Sequence, residues 1–162
     1  PKGSWATFLA ACGCLEDPEV EVREAAVEVL AKVAWRGDEE ALASVRPWIG
    51  HKDANVRQAA LAVMGRLAAR EDQSAVATMI THSKDSSDVV RAAAVAGLAE
   101  LAGPDDEDAV AAASVCLEDP QRAVRLAAVK ALLGVAGGDR ALAEASVLLT
   151  QPHALSRQHA VE

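Results

Sequence analysis

The chain has 162 residues, 51% of them apolar and only 2% aromatic, with 16 basic against 24 acidic side chains and a net charge of −8. That is enough material for one ordinary domain with a core of Ala, Val and Leu, and the acidic balance argues against nonspecific binding to nucleic acid or an anionic membrane. Three cysteines are too few, and odd in number, for a disulfide framework, and no apolar run reaches the roughly 20 residues of a bilayer span; a soluble protein of a reducing intracellular compartment is expected.

The elements follow from a repeat. "VREAAVEVL" at 22–30 returns as "VRQAALAVM" at 56–64, "VRAAAVAGL" at 90–98 and "VRLAAVKAL" at 124–132. Arg23, Arg57, Arg91 and Arg125 stand 34 residues apart, as do Val22, Val56, Val90 and Val124. A self-similar period of this length marks a solenoid. Apolar residues at 22, 25, 26, 29, 30 and 33 have the spacing of a helix with one buried face.

In chain order, residues 1–15 read as the second helix, B, of a preceding repeat. Repeats follow at 16–49, 50–83, 84–117 and 118–149, and 150–162 begins another. The first helix of each repeat, A, is predicted at 19–34, 53–69, 87–102 and 121–136, and helix B at 39–49, 73–82, 106–117 and 140–149. The fold class is all-α, an α-solenoid of antiparallel helix pairs. Gly37, Gly103 with Pro104, and Gly137–Gly138 stop helix A, and Asp38, Asp72, Asp105 and Asp139 are expected to cap helix B. Both ends break off within the pattern, so the chain is expected to belong to a longer one.

Asp17, Asp85 and Asp119 precede their arginines by six residues; His51 takes that place in the second copy. A carboxylate near a helix start accepts backbone N–H groups, and arginine has five donors in a rigid fork. Stacking should therefore make a structural ladder of Arg23, Arg57, Arg91 and Arg125 with Asp17, Asp85, Asp119 or loop carbonyls. The alternative is an arginine row that grips an anionic ligand. The Ala pairs 25–26, 59–60, 93–94 and 127–128 are expected to form the close-packing seam between helices.

The pattern Leu15, Asp17, Pro18, Val22, Arg23, Ala26, Leu30, Val33, repeated as Leu117, Asp119, Pro120, Val124, Arg125, Ala128, Leu132, Val135, resembles the HEAT repeat, particularly the short variety of phycobilisome-lyase-type proteins. It departs at His51 and at Ser83, where leucine is expected. Tetratricopeptide repeats share the length but need a tyrosine that this chain lacks. The resemblance implies a right-handed superhelix that serves as a scaffold for other macromolecules.

Sites of chemistry are sparse. His51, His82, His153 and His159 form no zinc motif, and the His-Glu pairs through which some HEAT-like enzymes hold iron are missing. Cys12-x-Cys14 has no second pair to complete a metal site, and Cys14 shares its repeat position with Cys116, Trp48 and Leu148, which reads as packing. No cofactor or metal is expected. The resulting expectation is a noncatalytic scaffold for a protein or peptide partner, bound on the concave helix-B face or at the ends. Trp35, Glu40, Ser44, Thr78, Asp108 and Glu144 are its candidate interface residues. Helix B offers small, neutral or acidic residues, so nucleic acid is not the expected partner. The alternative is a domain or regulatory subunit of a HEAT-like enzyme such as a chromophore lyase.

Overall fold

The computed structural model describes residues 5–104 and 106–135. Asp105, Asp139, Glu144, the helices expected at 140–149 and from 150 onward, and His153 and His159 lie outside the described residues. Eight α-helices are found among the described residues: α1 (Trp5–Gly13), α2 (Val20–Val33), α3 (Glu39–Ile49), α4 (Ala54–Leu67), α5 (Gln73–His82), α6 (Asp88–Leu101), α7 (Glu107–Cys116) and α8 (Arg122–Val135). No strand occurs among these residues. The architecture is an all-α solenoid, with α2, α4, α6 and α8 as the helix-A row and α1, α3, α5 and α7 as the helix-B row.

The helix-A row is the backbone of the packing. Each of its helices lies against the next, and each helix B packs onto the helix A that follows it. One apolar core runs through the array. Leu30, Leu98 and Leu132 of the helix-A row meet Leu42, Val76 and Val110 of the helix-B row there, with Met79 and Phe8. Burial of each such side chain contributes about 1.5–3 kcal/mol.

Helix A ends one or two residues earlier than its apolar pattern suggests in the first three repeats. Ala34, Ala68 and Ala102 turn to extended backbone while their N–H groups still bond to Leu30, Met64 and Leu98. The turn has a purpose. It carries the N–H of Gly37 to the terminal carbonyl of Leu67, at 2.6 Å, and that of Glu71 to Leu101, also at 2.6 Å. Both donors have positive φ, 84° at Gly37 and 63° at Glu71, a conformation natural to glycine and strained for glutamate.

Helix B is capped by aspartate. Asp38, Asp72 and Asp106 accept N–H groups of the first turn of α3, α5 and α7. The cap of α7 is thus Asp106 and not the expected Asp105. The helix begins at Glu107, and the 34-residue step from Asp38 and Asp72 lands on Asp106.

Two core assignments need correction at the leading end. Val22 is 36% exposed, whereas its equivalents Val56, Val90 and Val124 are 3% or less. Val29 is exposed as well, while Val63 and Ala131 are buried. These positions face the preceding helix A, and α2 is the first of its row among the described residues. The expected seam also shifts. Ala26, Ala60, Ala94 and Ala128 are buried, but Ala25 is exposed and Ala93 and Ala127 are half-buried. A close backbone approach lies further along the helix: a Cβ on Gly65 would stand 3.4 Å from the Cα of Gly97.

Candidate interaction site

The four ladder arginines share one task, and Arg57 and Arg91 have a second. Nη1 donates to two carbonyls of its own repeat's loop: Asp17 and Pro18 for Arg23, His51 and Lys52 for Arg57, Asp85 and Ser86 for Arg91, Asp119 and Pro120 for Arg125. In Arg57 and Arg91, Nε and Nη2 also reach forward into the next repeat. Arg57 donates to Asp85 at 3.0 and 2.8 Å, and Arg91 to Asp119 at 2.7 and 3.0 Å. These are bidentate, half-buried ion pairs, the strong kind. Each acceptor is itself oriented by the chain, because Asp85 takes the N–H of Ser87 and Asp119 that of Gln121. The donated arginine hydrogen bonds hold both carboxyls below the usual carboxylate range.

The rung ahead of Arg23 is built differently. His51 occupies the acceptor's place, and its Nδ1 accepts the N–H of Asp53 at 3.2 Å as the aspartates do. Its Nε2 lies 3.3 Å from Glu16. No carboxylate receives the forward fork of Arg23, and no arginine reaches the carboxylate of Asp17, among the described residues. With their guanidiniums committed to the repeat junctions, Arg57 and Arg91 have no fork left for an anionic ligand.

A second row of cross-links lies at the opposite end of the helix-A row. Arg36 donates from Nε to the carbonyl of Ala68 at 2.9 Å and from Nη2 to that of Glu100 at 2.8 Å, so it ties three repeats together. Arg70, 34 residues on, reaches Ala102 at 3.5 Å. Cations at helix C-termini also suit the macrodipole. Their common register was the signal available in the sequence.

The thiols are poor nucleophiles where they are buried. Burial pushes Cys12 up to about 11 and raises Cys116, whose Sγ–H points at the carbonyl of Ser83, 3.7 Å away. Cys14, expected to be packed like Cys116, is exposed. The Ser83 carbonyl that Cys116 meets has no counterpart for Cys14 among the described residues. Buried Ser83 replaces the expected leucine by satisfying its own hydroxyl on Ile80. His82 donates Nδ1–H to Thr78 at the end of α5. No cluster of His, Cys, Asp and Glu suited to a metal occurs among the described residues, and none of their helices is long and apolar enough to cross a membrane.

Two concavities are formed by described residues. A groove of about 500 Å³ runs between α5 and α7, lined by Ala77, Ile80, Thr81, Lys84, Asp108 and Val115 among others. Val115 is 71% exposed on it. A cleft of about 230 Å³ lies at the leading end, where Trp5, Phe8, Val33, Trp35, Asp38 and Glu40 meet. Of the expected interface residues, the cleft brings Trp35 and Glu40 together and the groove takes Asp108. Ser44 and Thr78 stand apart on α3 and α5, half-buried, with their hydroxyls bonded to Glu40 and Ser74 carbonyls one turn back.

The family description "HEAT repeats" matches residues 10–99 and 79–162. The chain belongs to the HEAT-repeat family. Among solved structures this HEAT-repeat chain is similar to a designed armadillo repeat protein in complex with the peptide (KR)4, with a TM-score of 0.61 and 17% identity over 96% of this chain and 79% of that one. At that identity the likeness shows a shared solenoid fold. No curated protein matches the chain significantly.

Proposed function

We propose that this HEAT-repeat chain is a noncatalytic scaffold that holds a protein or peptide partner against its helix-B face, the inner surface of the superhelix. The observation that carries the reading is the groove between α5 and α7. It is half apolar and open, and exposed Ala77 and Ala111 line it; Ala43, at the equivalent place on α3, is exposed as well. Small side chains there leave backbone-deep room for a partner's side chains. The designed armadillo neighbour was solved with a peptide, which is consistent with such use of the fold. Nucleic acid is the wrong partner for a face that carries Glu40 and Asp108 on a chain of net charge −8.

A peptide library selected on the whole chain tests this. Binders should lose at least about tenfold in affinity with Thr81→Arg or Ala111→Arg, which fill the groove, and keep it with Lys130→Ala on α8. Selected binders indifferent to both groove variants would refute the assignment of this face.

A further inference from the structure

The polar side chains on the floor of the groove between α5 and α7 are already engaged. The hydroxyl of Ser83 donates to the carbonyl of Ile80 at 2.8 Å, that of Thr81 to Ala77 at 2.9 Å, and the thiol of Cys116 points at Ser83. The rest of the floor is apolar, with Ile80, Ala111 and Val115. Two lining residues differ. Lys84 and Asp108 are exposed, and neither side chain has a hydrogen bond or ion pair among the described residues. The cap of α7 is Asp106, so Asp108 is not spent on the helix start.

The array requires neither charge. Gly50 and Glu118 stand where Lys84 does, and Glu40 and Ser74 where Asp108 does. Nor is the groove open for want of a neighbour. Pro47 and Thr81 hold the place of Val115 on α3 and α5, each with a further helix B after it, and both are exposed.

The two charges mark opposite ends of the trough. Asp108 lies in the first turn of α7, while Lys84 follows the end of α5 and lines the groove together with Cys116, the last residue of α7. From Asp108 to Cys116 the axis of α7 rises about 12 Å. An extended chain covers that length in about four residues. A segment with only cations would suit Asp108 and be repelled at Lys84, and one with only carboxylates would meet the reverse.

We infer that the groove receives an extended segment of a partner protein in which a basic and an acidic residue, about four positions apart, flank apolar side chains. The acidic residue meets Lys84 and the basic one Asp108. The inference rests on the groove reading above and names its guest.

The test titrates the whole chain with four five-residue peptides, blocked at both ends, and follows the amide resonances of α5 and α7 at physiological ionic strength, where the chain's overall acidity is screened. Each peptide has leucine, alanine and leucine in the middle. The outer pairs are lysine with glutamate, two lysines, two glutamates and two glutamines. The mixed peptide should bind about three- to tenfold more tightly than the other three. Lys84→Glu should weaken the mixed peptide and strengthen the two-lysine peptide by about that factor; Asp108→Lys should do the same in favour of two glutamates. Lys130→Glu on α8, the same change of charge away from the groove, should leave all four within about twofold. Lys84 and Asp108 are exposed, so their variants should keep the parent's melting temperature. No binding of the mixed peptide, tightest binding of the two-lysine peptide to the parent, or equal losses of mixed and two-lysine peptides with Lys84→Glu would overturn the inference. Four equal affinities, all abolished by Thr81→Arg, would overturn it too but leave the groove reading standing.

Discussion

The first junction lacks the rung that the next two possess, so His51→Asp should stabilise the protein. The geometry is prepared on both sides. Arg23 already has Nη1 fixed on Asp17 and Pro18, as Arg57 and Arg91 have theirs, and the N–H of Asp53 is already offered to residue 51. An aspartate there would take that N–H and the Nε–Nη2 fork of Arg23, 28 residues away as in the Arg57–Asp85 and Arg91–Asp119 pairs. A bidentate, half-buried pair of charge-assisted bonds contributes roughly 1.5–3 kcal/mol. Against this stand the lost contact of His51 with Glu16, worth about 0–1 kcal/mol at an exposed site, and new repulsion between Glu16 and the introduced carboxylate. The net is about 1 kcal/mol, or roughly 2–4 °C in melting temperature for a chain of this size. Thermal melts of four proteins decide it: the parent, His51→Asp, Arg23→Ala and the double variant. The gain should vanish in the Arg23→Ala background. A gain that persists there, or none in the parent background, would refute the ladder as the source.

Three further outcomes are expected. Ala94, fully buried between helices, should cost about 1–3 kcal/mol when changed to leucine, read by urea denaturation; an unchanged midpoint would count against a tight junction. Arg36→Met should lower stability by about 1–3 kcal/mol, since both carbonyls it serves would lose charge-assisted bonds, and amide exchange should rise at the ends of α4 and α6. Asp85 and Asp119 have folded pKa values below their unfolded ones, so the unfolded chain takes up protons first as pH falls. Their contribution is complete above about pH 4 and is lost as pH drops through the folded values. Stability of Asp85→Asn with Asp119→Asn should consequently fall less steeply than the parent's below that pH.

The fold was legible because a fixed 34-residue step forces equivalent residues into equivalent places. Arg57, Arg91, Val90 and Leu98 could be assigned from spacing alone. Legibility failed where a residue's surroundings depend on rank in the array. Val22 and Cys14 carry the right side chains for burial but have no preceding repeat among the described residues to cover them. It failed again where the signal was an absence of side chain. Gly65 and Gly97 each cost helix propensity of about 1 kcal/mol, Gly65 where a Cβ would meet the Cα of Gly97 and Gly97 where it would meet a buried side chain. A Cβ on Gly97 would lie 2.6 Å from the Sδ of Met79. Arg36 and Arg70 share a 34-residue register that marks them, but their partners are backbone carbonyls, which leave no mark in a sequence. For the candidate site, Trp35 and Glu40 could be named separately, but that they share a cleft with Trp5 is a fact of the turn between α2 and α3.

The two rows of cross-links have a mechanical consequence. Both clamp the helix-A row, one at the starts of its helices through Arg57 and Arg91, the other at their ends through Arg36, Gly37 and Glu71. The groove between α5 and α7 meets the first clamp at one end, where Ser83 and Lys84 precede Asp85, and runs away from it along the two helices. The molecule is therefore bound like a book, stitched along its spine and free to fan at the fore-edge. Bending that spreads or closes the helix-B row costs little, while stretching or twisting the helix-A row strains charge-assisted bonds at every junction. A guest lodged between the leaves would set the opening angle, and spin labels on α5 and α7 would read it as a change of distance, with a pair on α4 and α6 staying still.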